Sequence, residues 1–292
     1  MMRLRKPITC SVLLLMLLSM CAAEDNSGKK SVSSDTSSGP IPVFALRGSD
    51  TGDSISIDQI LLIDGGKLHA VPDPCSDSSA SHAFDERYFK PGTEYPVIFG
   101  GRPKGTVVVK KPEAMDYPVE PHTDAPIKGF TMALAVGSKT LGRESGVRRN
   151  PTPAEQTHLE QLAKEIFTSK GVPASSLARM VVDQIAVVDL NHASRIVASI
   201  AIERQDKLGP DYNLFVIADP VTGEHSVLWF QHPTKETEGE GLSLIDVLDF
   251  DKSGKDRLFV RRALYENYHY EVYGSAQGRW VKEFTSQTFG CL

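Results

Sequence analysis

Two stretches of this chain, IAVVDLNHASRIVASIAIE at residues 185–203 and IDVLDFDKSGKDRLFV at residues 245–260, share one pattern. Each runs from an apolar segment through a short loop, with Asp and then Asn or Asp two residues apart, to an arginine and a second apolar segment. Apolar runs of this length bounded by turn residues are typical of strands. The copies begin 60 residues apart. The pattern therefore predicts two related four-stranded units, at about residues 183–232 and 243–286.

The rest of the C-terminal region supports this interpretation. Apolar and polar residues alternate in RIVASIAIE, residues 195–203, as in a half-buried strand. Pro-Asp, Thr-Gly and Gln-Gly turn signals separate further strand candidates, namely YNLFVIA, HSVLWFQ, LSLIDVLDF, RLFVRRALY, HYEVYG and RWVKEFT. The short connections favour antiparallel meanders over residues 179–292.

Residues 41–141 predict a separate N-terminal β region. Its strand candidates are PVFALRG, SISIDQILLI, EYPVIFGG, GTVVVKK and GFTMALAVG, and Gly-rich turns punctuate them. Residues 75–82 (CSDSSASH) and 111–126 (KPEAMDYPVEPHTDAP) are expected to be long loops. The second segment contains four prolines, and a proline has no N–H to donate to the hydrogen bonds between strands, so this segment is expected not to pair.

A single helix is predicted between the two β regions, within a connecting segment at residues 142–178. Thr152 can cap it, Pro153 suits its first position, and Glu155 completes a capping box. Apolar residues then recur at helical spacing to about residue 170. The expected fold is mainly β (α+β): antiparallel sheets in two regions joined by one amphipathic helix, with a blade-like C-terminal part.

The loop DFDKSGKD, residues 249–256, has features of a calcium site. Asp249, Asp251 and Ser253 place side-chain oxygens at loop positions 1, 3 and 5, with Gly254 next and Asp256 as a further carboxylate. Short oxygen-bearing side chains around a glycine can supply part of the ligand ring that calcium needs.

The strand–loop–strand pattern resembles the FG-GAP and VCBS type of repeat, over about 100 residues. That resemblance implies a blade-like sheet and a loop that binds calcium through positions 1, 3, 5 and 9. Position 9 is Arg257 here, where the family has a carboxylate, so a calcium site would be weak. In the alternative, Arg257 and, in the first copy, Arg195 pair with loop carboxylates such as Asp251 and Asp189 and close each turn without metal. An ordinary exposed turn is the third possibility.

The N-terminus predicts export. MMRLRK is followed by an apolar run too short to span a bilayer and by small residues, so residues 1–23 read as a signal peptide of a bacterial protein. In the alternative, Leu18–Cys21 is a lipobox and Cys21 is lipidated, which would tether the protein to the membrane. Residues 24–40, rich in Ser and Gly, then form a disordered linker. Localisation is expected to be periplasmic or secreted.

The net charge bears on the possible partners, and the cysteines bear on a possible disulfide. The net charge is −5, and cleavage of the signal peptide would make it more negative, which argues against nucleic-acid binding. Outside the signal region the cysteines are Cys75 and Cys291, an even pair that suggests a disulfide in an oxidising compartment.

Motifs of catalysis are absent from the sequence. It contains no HExxH pair, G-x-S-x-G elbow or phosphate-binding glycine loop, so no catalytic residue and no cofactor other than calcium is predicted. We therefore expect a noncatalytic binding or structural module with a protein or glycan partner. A hydrolase with a site assembled from distant residues, and an assembly component that pairs through a strand edge, are the alternatives.

Overall fold

The computed structural model describes residues 39–73, 78–112, 117–144, 146–205, 210–233, 240–264 and 267–289. In this part of the chain the fold is mainly β, with 52% strand and 13% helix, and all of its sheets are antiparallel. The predicted fold class is confirmed. The signal peptide, most of the linker, and Cys21, Cys75 and Cys291 lie outside the described residues, so the predictions that concern them stay predictions.

The first sheet forms a closed barrel. Its strands occur in the order β1-β7-β4-β5-β6-β2-β3, and β1 also pairs with β2, so six strands close on themselves and β3 extends outward as a hairpin from β2. The strands are β1 (Ile41–Gly48), β2 (Ile55–Asp64), β3 (Lys67–His69), β4 (Glu94–Phe99), β5 (Arg102–Val109), β6 (Pro118–Thr123) and β7 (Ala133–Val136).

Alternate residues of the six barrel strands fill the barrel interior. Phe44, Ile57, Val97 and Val107, each fully buried, belong to one apolar cluster. A helix, α1 (Ser78–Tyr88), contributes Phe84 and Tyr88 to the same cluster. Since the interior of a closed barrel is reached only through its ends, α1 covers one end of the barrel.

Two segments differ from the expected loops. Residues 78–82 belong to α1, and residues 118–123 form β6. The strand β6 tolerates its prolines because a proline carbonyl can still accept a hydrogen bond from the neighbouring strand. The Pro118 carbonyl accepts from the Lys110 N–H at 2.9 Å, and Pro121 lies opposite Val107. The expectation that these prolines exclude pairing was wrong, since a proline loses its donor and keeps its acceptor.

Two further sheets follow in the chain, each with a meander of four strands. The five-stranded sheet has the order β12-β11-β10-β9-β8, and the four-stranded sheet the order β13-β14-β15-β16. Their strands are β8 (Arg148–Arg149), β9 (Met180–Leu190), β10 (Ala193–Glu203), β11 (Pro210–Ala218), β12 (His225–Gln231), β13 (Gly241–Leu248), β14 (Arg257–Ala263), β15 (Tyr268–Ala276) and β16 (Arg279–Thr285).

The sheets stack in layers. Phe259 and Val272 of the four-stranded sheet pack against the outer wall of the barrel. Leu258 and Val260, on the opposite face of that sheet, pack against the five-stranded sheet. The remaining face of the five-stranded sheet is covered by α2 (Pro153–Ser169).

Local sequence explains the position of α2. The Thr152 side chain accepts from the Glu155 N–H, and the Glu155 carboxylate accepts from the Thr152 N–H, so the predicted capping box forms. Gly171, with φ of 82°, follows the helix in the left-handed region that favours glycine. A 3-10 turn, Leu177–Arg179, then leads into β9. Among the described residues, no helix is long and apolar enough to cross a membrane.

A buried carboxylate joins the barrel to both sheets. Asp246 of β13 is fully buried and accepts from the Gly100 N–H of the barrel at 2.9 and 3.0 Å. The Arg148 guanidinium of β8 lies 3.9 Å from Asp246 and donates to the Met132 carbonyl at 2.8 Å. Burial raises the pKa of the Asp246 carboxyl to about 7, and the charge of Arg148 opposes that rise. One polar group therefore holds three elements in register.

Removal of this carboxylate should destabilise the whole stack. We expect Asp246→Ala to lower the free energy of unfolding by about 3–5 kcal/mol, because Arg148 would keep a buried charge with no counter-charge. Urea unfolding at pH 8 measures the loss. The exposed Asp53→Ala is the matched control and should change stability by less than about 0.5 kcal/mol. Equal stability of the two variants would show that Asp246 does not join the layers.

Candidate functional site

The loop between β13 and β14 is closed by its own hydrogen bonds. The two oxygens of Asp249 accept from the Ser253 N–H at 3.1 Å and the Gly254 N–H at 2.8 Å, and Asp251 accepts from the same Ser253 N–H at 3.1 Å. The oxygens at loop positions 1 and 3 are therefore already engaged with loop backbone.

Arg257 supplies the positive charge beside this loop. Its guanidinium contacts both oxygens of Asp251, at 3.1 and 3.0 Å, and donates to the Ser253 hydroxyl at 3.2 Å. Burial raises the pKa of the Asp251 carboxyl, but hydrogen bonds from Ser253 and the charge of Arg257 outweigh it and hold that pKa at about 2. These contacts are the ones that the salt-bridged alternative describes for the second loop.

Asp256 is directed at the loop between β9 and β10. Its carboxylate, 2% exposed, accepts from the Asn191 N–H at 2.6 Å and from Arg143 at 3.0 Å. The Asp256 N–H donates in return to the Asn191 side chain at 2.7 Å, and Arg143 also donates to the Asp189 carbonyl at 2.8 Å. The β9–β10 and β13–β14 loops are thus bonded to each other, which the sequence did not predict.

Arg195 of β10 has a different partner from the predicted one. It forms an ion pair with Asp219, at the end of β11, rather than with Asp189. Asp189 lies opposite Ser194 in the β9–β10 ladder, so the side chains of these two residues lie on the same face of the sheet. Because successive side chains point to opposite faces, Arg195 lies on the other face of the sheet from Asp189.

Among the described residues, no group of three or more His, Cys, Asp or Glu side chains is arranged to hold a metal ion. Calcium binding by Asp249, Asp251, Ser253 and Asp256 stays a prediction.

A pocket at the covered end of the barrel was not predicted from the sequence. Its volume is about 600 Å³. Apolar walls surround a few polar groups. The lining residues come from α1, from the segment that follows it and from the connections after β5 and before β6: His82, Asp85, Glu86, Phe89, Lys90, Pro91, Pro112 and Tyr117. Barrel mouths with this mixture of groups are common ligand sites.

Asp85 is the central polar group of this pocket. One of its oxygens accepts from the Tyr117 hydroxyl at 2.5 Å, whereas the other is buried and has no hydrogen-bond partner among the described residues. Burial raises the pKa of the Asp85 carboxyl, and the Tyr117 hydroxyl and His82 oppose the rise. The Tyr117 ring stacks on Phe89 with centroids 4.0 Å apart, which fixes the hydroxyl in place. The pocket is thus lined by a carboxyl group that has one bonded oxygen and one buried oxygen without a partner.

The other charged groups of the pocket lie nearer to solvent. His82 and Glu86, one turn apart on α1, are 3.4 Å from each other, and their side chains are 75% and 68% exposed. Lys90 is also exposed. These three groups can adjust to a ligand, whereas Asp85 is held.

One sequence signal could have revealed this site. Ser81, Phe84 and Tyr88 are the buried residues of α1 and recur at helical spacing, three and then four residues apart. The signal is weak because the Ser-rich start of the segment favours turns and caps. The contact of Tyr117 with Asp85 joins residues 32 positions apart and has no local signature.

A groove between the two C-terminal sheets is the second recess with a perturbed carboxyl. Its volume is about 460 Å³, and Asp183, Glu203, Glu240, Arg261 and Phe130 are among its lining residues. Asp183 is the extra residue of a β-bulge between β9 and β10. Burial and the nearby Glu203 raise its pKa.

A third carboxylate, Glu271 of β15, is fully buried and satisfied by its neighbours. It accepts from Tyr273 at 2.6 Å, from Lys282 at 3.0 Å and from His269 at 3.1 Å. Burial raises the pKa of Glu271, but these bonds outweigh it and lower the pKa to about 2. The arrangement is that of a structural ion network.

Comparison of the chain with protein-family models, with curated proteins and with solved structures found no match. The interpretation of the function therefore depends on the geometry of these sites.

Calcium titration distinguishes the two interpretations of the Asp249 loop. With Arg257 beside Asp251, millimolar calcium should leave the melting temperature of the protein unchanged. Arg257→Gln removes the competing cation, so calcium should raise the melting temperature of that variant, and Arg257→Gln/Asp249→Ala should abolish the rise. A calcium-dependent rise in the wild-type protein that Asp249→Ala abolishes would contradict the salt-bridged interpretation.

The Glu271 network predicts a pH dependence of stability. Its folded-state pKa of about 2 lies below the ordinary value of 4.5, so its contribution is present above pH 4.5 and is lost as the pH falls toward 2. The difference in unfolding free energy between the wild-type protein and Glu271→Gln should shrink over that interval, by up to about 3 kcal/mol. Glu94→Gln, at an exposed position, should follow the wild-type profile. A constant difference at every pH would overturn the assignment.

Proposed function

We propose that this protein is a noncatalytic binding module of the bacterial envelope or secreted fraction, and that it binds a glycan in the pocket at the end of the barrel. The observation that carries the proposal is an apolar-walled pocket lined by Asp85, a carboxyl group with one oxygen that is buried and has no partner among the described residues. The predicted signal peptide supports the location.

The chemistry of the pocket favours a hydroxyl-rich ring. A buried carboxyl oxygen that lacks a partner is costly, and a ligand hydroxyl can supply the missing hydrogen bond. Phe89, Pro91, Pro112 and Tyr117 offer apolar surface to the C–H face of a sugar. A volume of about 600 Å³ lies within the range of sites for small ligands.

Anionic ligands fit this pocket poorly. Asp85 and Glu86 contribute two carboxyl groups to the pocket, whereas its lining residues include one lysine, Lys90, which is exposed. A neutral glycan leaves Asp85 in its present bond with Tyr117 and adds no further negative charge beside the two carboxyl groups.

The pocket lacks the usual arrangement for glycoside hydrolysis. That reaction needs two carboxyl groups that face each other across the scissile bond. Asp85 and Glu86 are adjacent on one helix, where successive side chains point in different directions, and Glu86 faces His82. This geometry supports binding without cleavage.

A hydrolase is the second candidate, and one observation favours it. Asp183, in the groove between the C-terminal sheets, has a pKa raised by burial and by Glu203, as a general acid requires. If this site were catalytic, Asp183→Asn would abolish hydrolysis of a glycan that the protein binds.

Binding of a glycan panel tests the proposal. We expect at least one neutral glycan to bind, and Asp85→Asn to weaken its affinity about tenfold or more, because the variant replaces a carboxylate acceptor by an amide. Calorimetry measures both affinities. Asp53→Asn, outside the pocket, should bind as the wild-type protein does.

Two results would overturn the proposal: no binding across the panel, or equal affinity of Asp85→Asn and the wild-type protein for every bound glycan. Incubation of each bound glycan with the protein, followed by mass spectrometry, separates binding from hydrolysis.

A further inference from the structure

The edge strand β12 is unusual in its composition. It is the terminal strand of the five-stranded sheet and pairs with β11 alone in the part of the chain that the structure describes. Its sequence, HSVLWFQ, contains no Lys, Arg, Asp, Glu or Pro. An edge strand of this kind presents free backbone donors and acceptors with no charge to repel a second strand.

The other sheet edges in the described residues are protected. The strand β16 carries Arg279, Lys282 and Glu283, and a β-bulge interrupts its ladder. The edge strand β3 has three residues and β8 has two. The fourth edge, β13, is largely buried, and its Ile245 carbonyl accepts from Arg148. Charges, bulges, short strands and burial are the devices that keep sheet edges from pairing, and β12 has only a bulge, at Leu228.

Exposed apolar side chains lie on the same hairpin. Val227 of β12 is 36% exposed, and Val221, in the turn before it, is 83% exposed. Both belong to the small set of large apolar side chains that the described surface exposes. The hairpin therefore combines an open backbone edge with apolar surface.

We propose that β12 pairs antiparallel with β12 of a second copy of this chain, so that two five-stranded sheets form one ten-stranded sheet across a two-fold axis. A two-fold axis brings the same strand against itself, which requires a self-complementary edge. A strand with no acidic or basic residue other than His225 meets that requirement, since like charges directly opposite each other destabilise a pair.

Sedimentation velocity on the purified protein over a concentration series tests the dimer. We expect a species of twice the monomer mass. Val227→Lys should raise the dissociation constant of this dimer tenfold or more, because each of the two paired strands would then carry a positive charge and the two charges would repel each other. Val281→Lys, on β16, is the matched control: Val281 is 42% exposed, and its substitution should leave the dimer intact.

Hydrogen exchange gives an independent measurement that needs no variant. Amides of β12 should exchange more slowly above the dissociation constant than below it, whereas amides of β16 should be unchanged. A wild-type protein that remains monomeric throughout the concentration series would overturn the proposal. A dimer that Val227→Lys leaves unchanged while the variant stays folded, or in which β12 exchange does not depend on concentration, would also overturn it.

Discussion

The four-stranded sheet is apolar on both faces, and the rest of the architecture follows from that constraint. Phe259 and Val272 face the barrel, whereas Leu258 and Val260 face the five-stranded sheet, so each face must be covered by another layer. The five-stranded sheet has the same requirement, and α2 covers its outer face. The barrel therefore covers one side of the two C-terminal sheets, and α2 covers the other.

Apolar layers could slide on one another, and a few buried polar side chains hold them in place. Asp246 binds the barrel backbone at Gly100. The Gln184 side chain bonds the N–H and carbonyl of Leu244 at 2.6 and 3.0 Å and the carbonyl of Phe130 at 2.6 Å. Each bond crosses a layer boundary. Buried polar groups cost free energy unless they are paired, so these contacts select one arrangement of the stack.

The two proposed binding regions of the protein lie where layers of the stack end. The pocket of Asp85 lies at the end of the barrel under α1, and β12 lies at an open sheet edge. The loop carboxylates Asp249, Asp251 and Asp256, in contrast, are engaged by backbone N–H groups and by Arg257 and Arg143. Those contacts thus contribute to the shape of the loops.

Periodicity and turn chemistry are local, and they were sufficient to predict the mainly β fold and the capped helix. The closure of the barrel, the order of the layers and the pairing of β6 despite its prolines all depend on contacts between distant segments. Such contacts leave no local pattern in the sequence. The candidate site is of the same kind: Asp85 matters because Tyr117, 32 residues away, binds one oxygen and burial isolates the other. The sequence by itself determined most of the strands and the capped helix. Only the tertiary structure decided which carboxyl groups are buried and which of their oxygens lack a hydrogen-bond partner, because desolvation depends on what packs around a group.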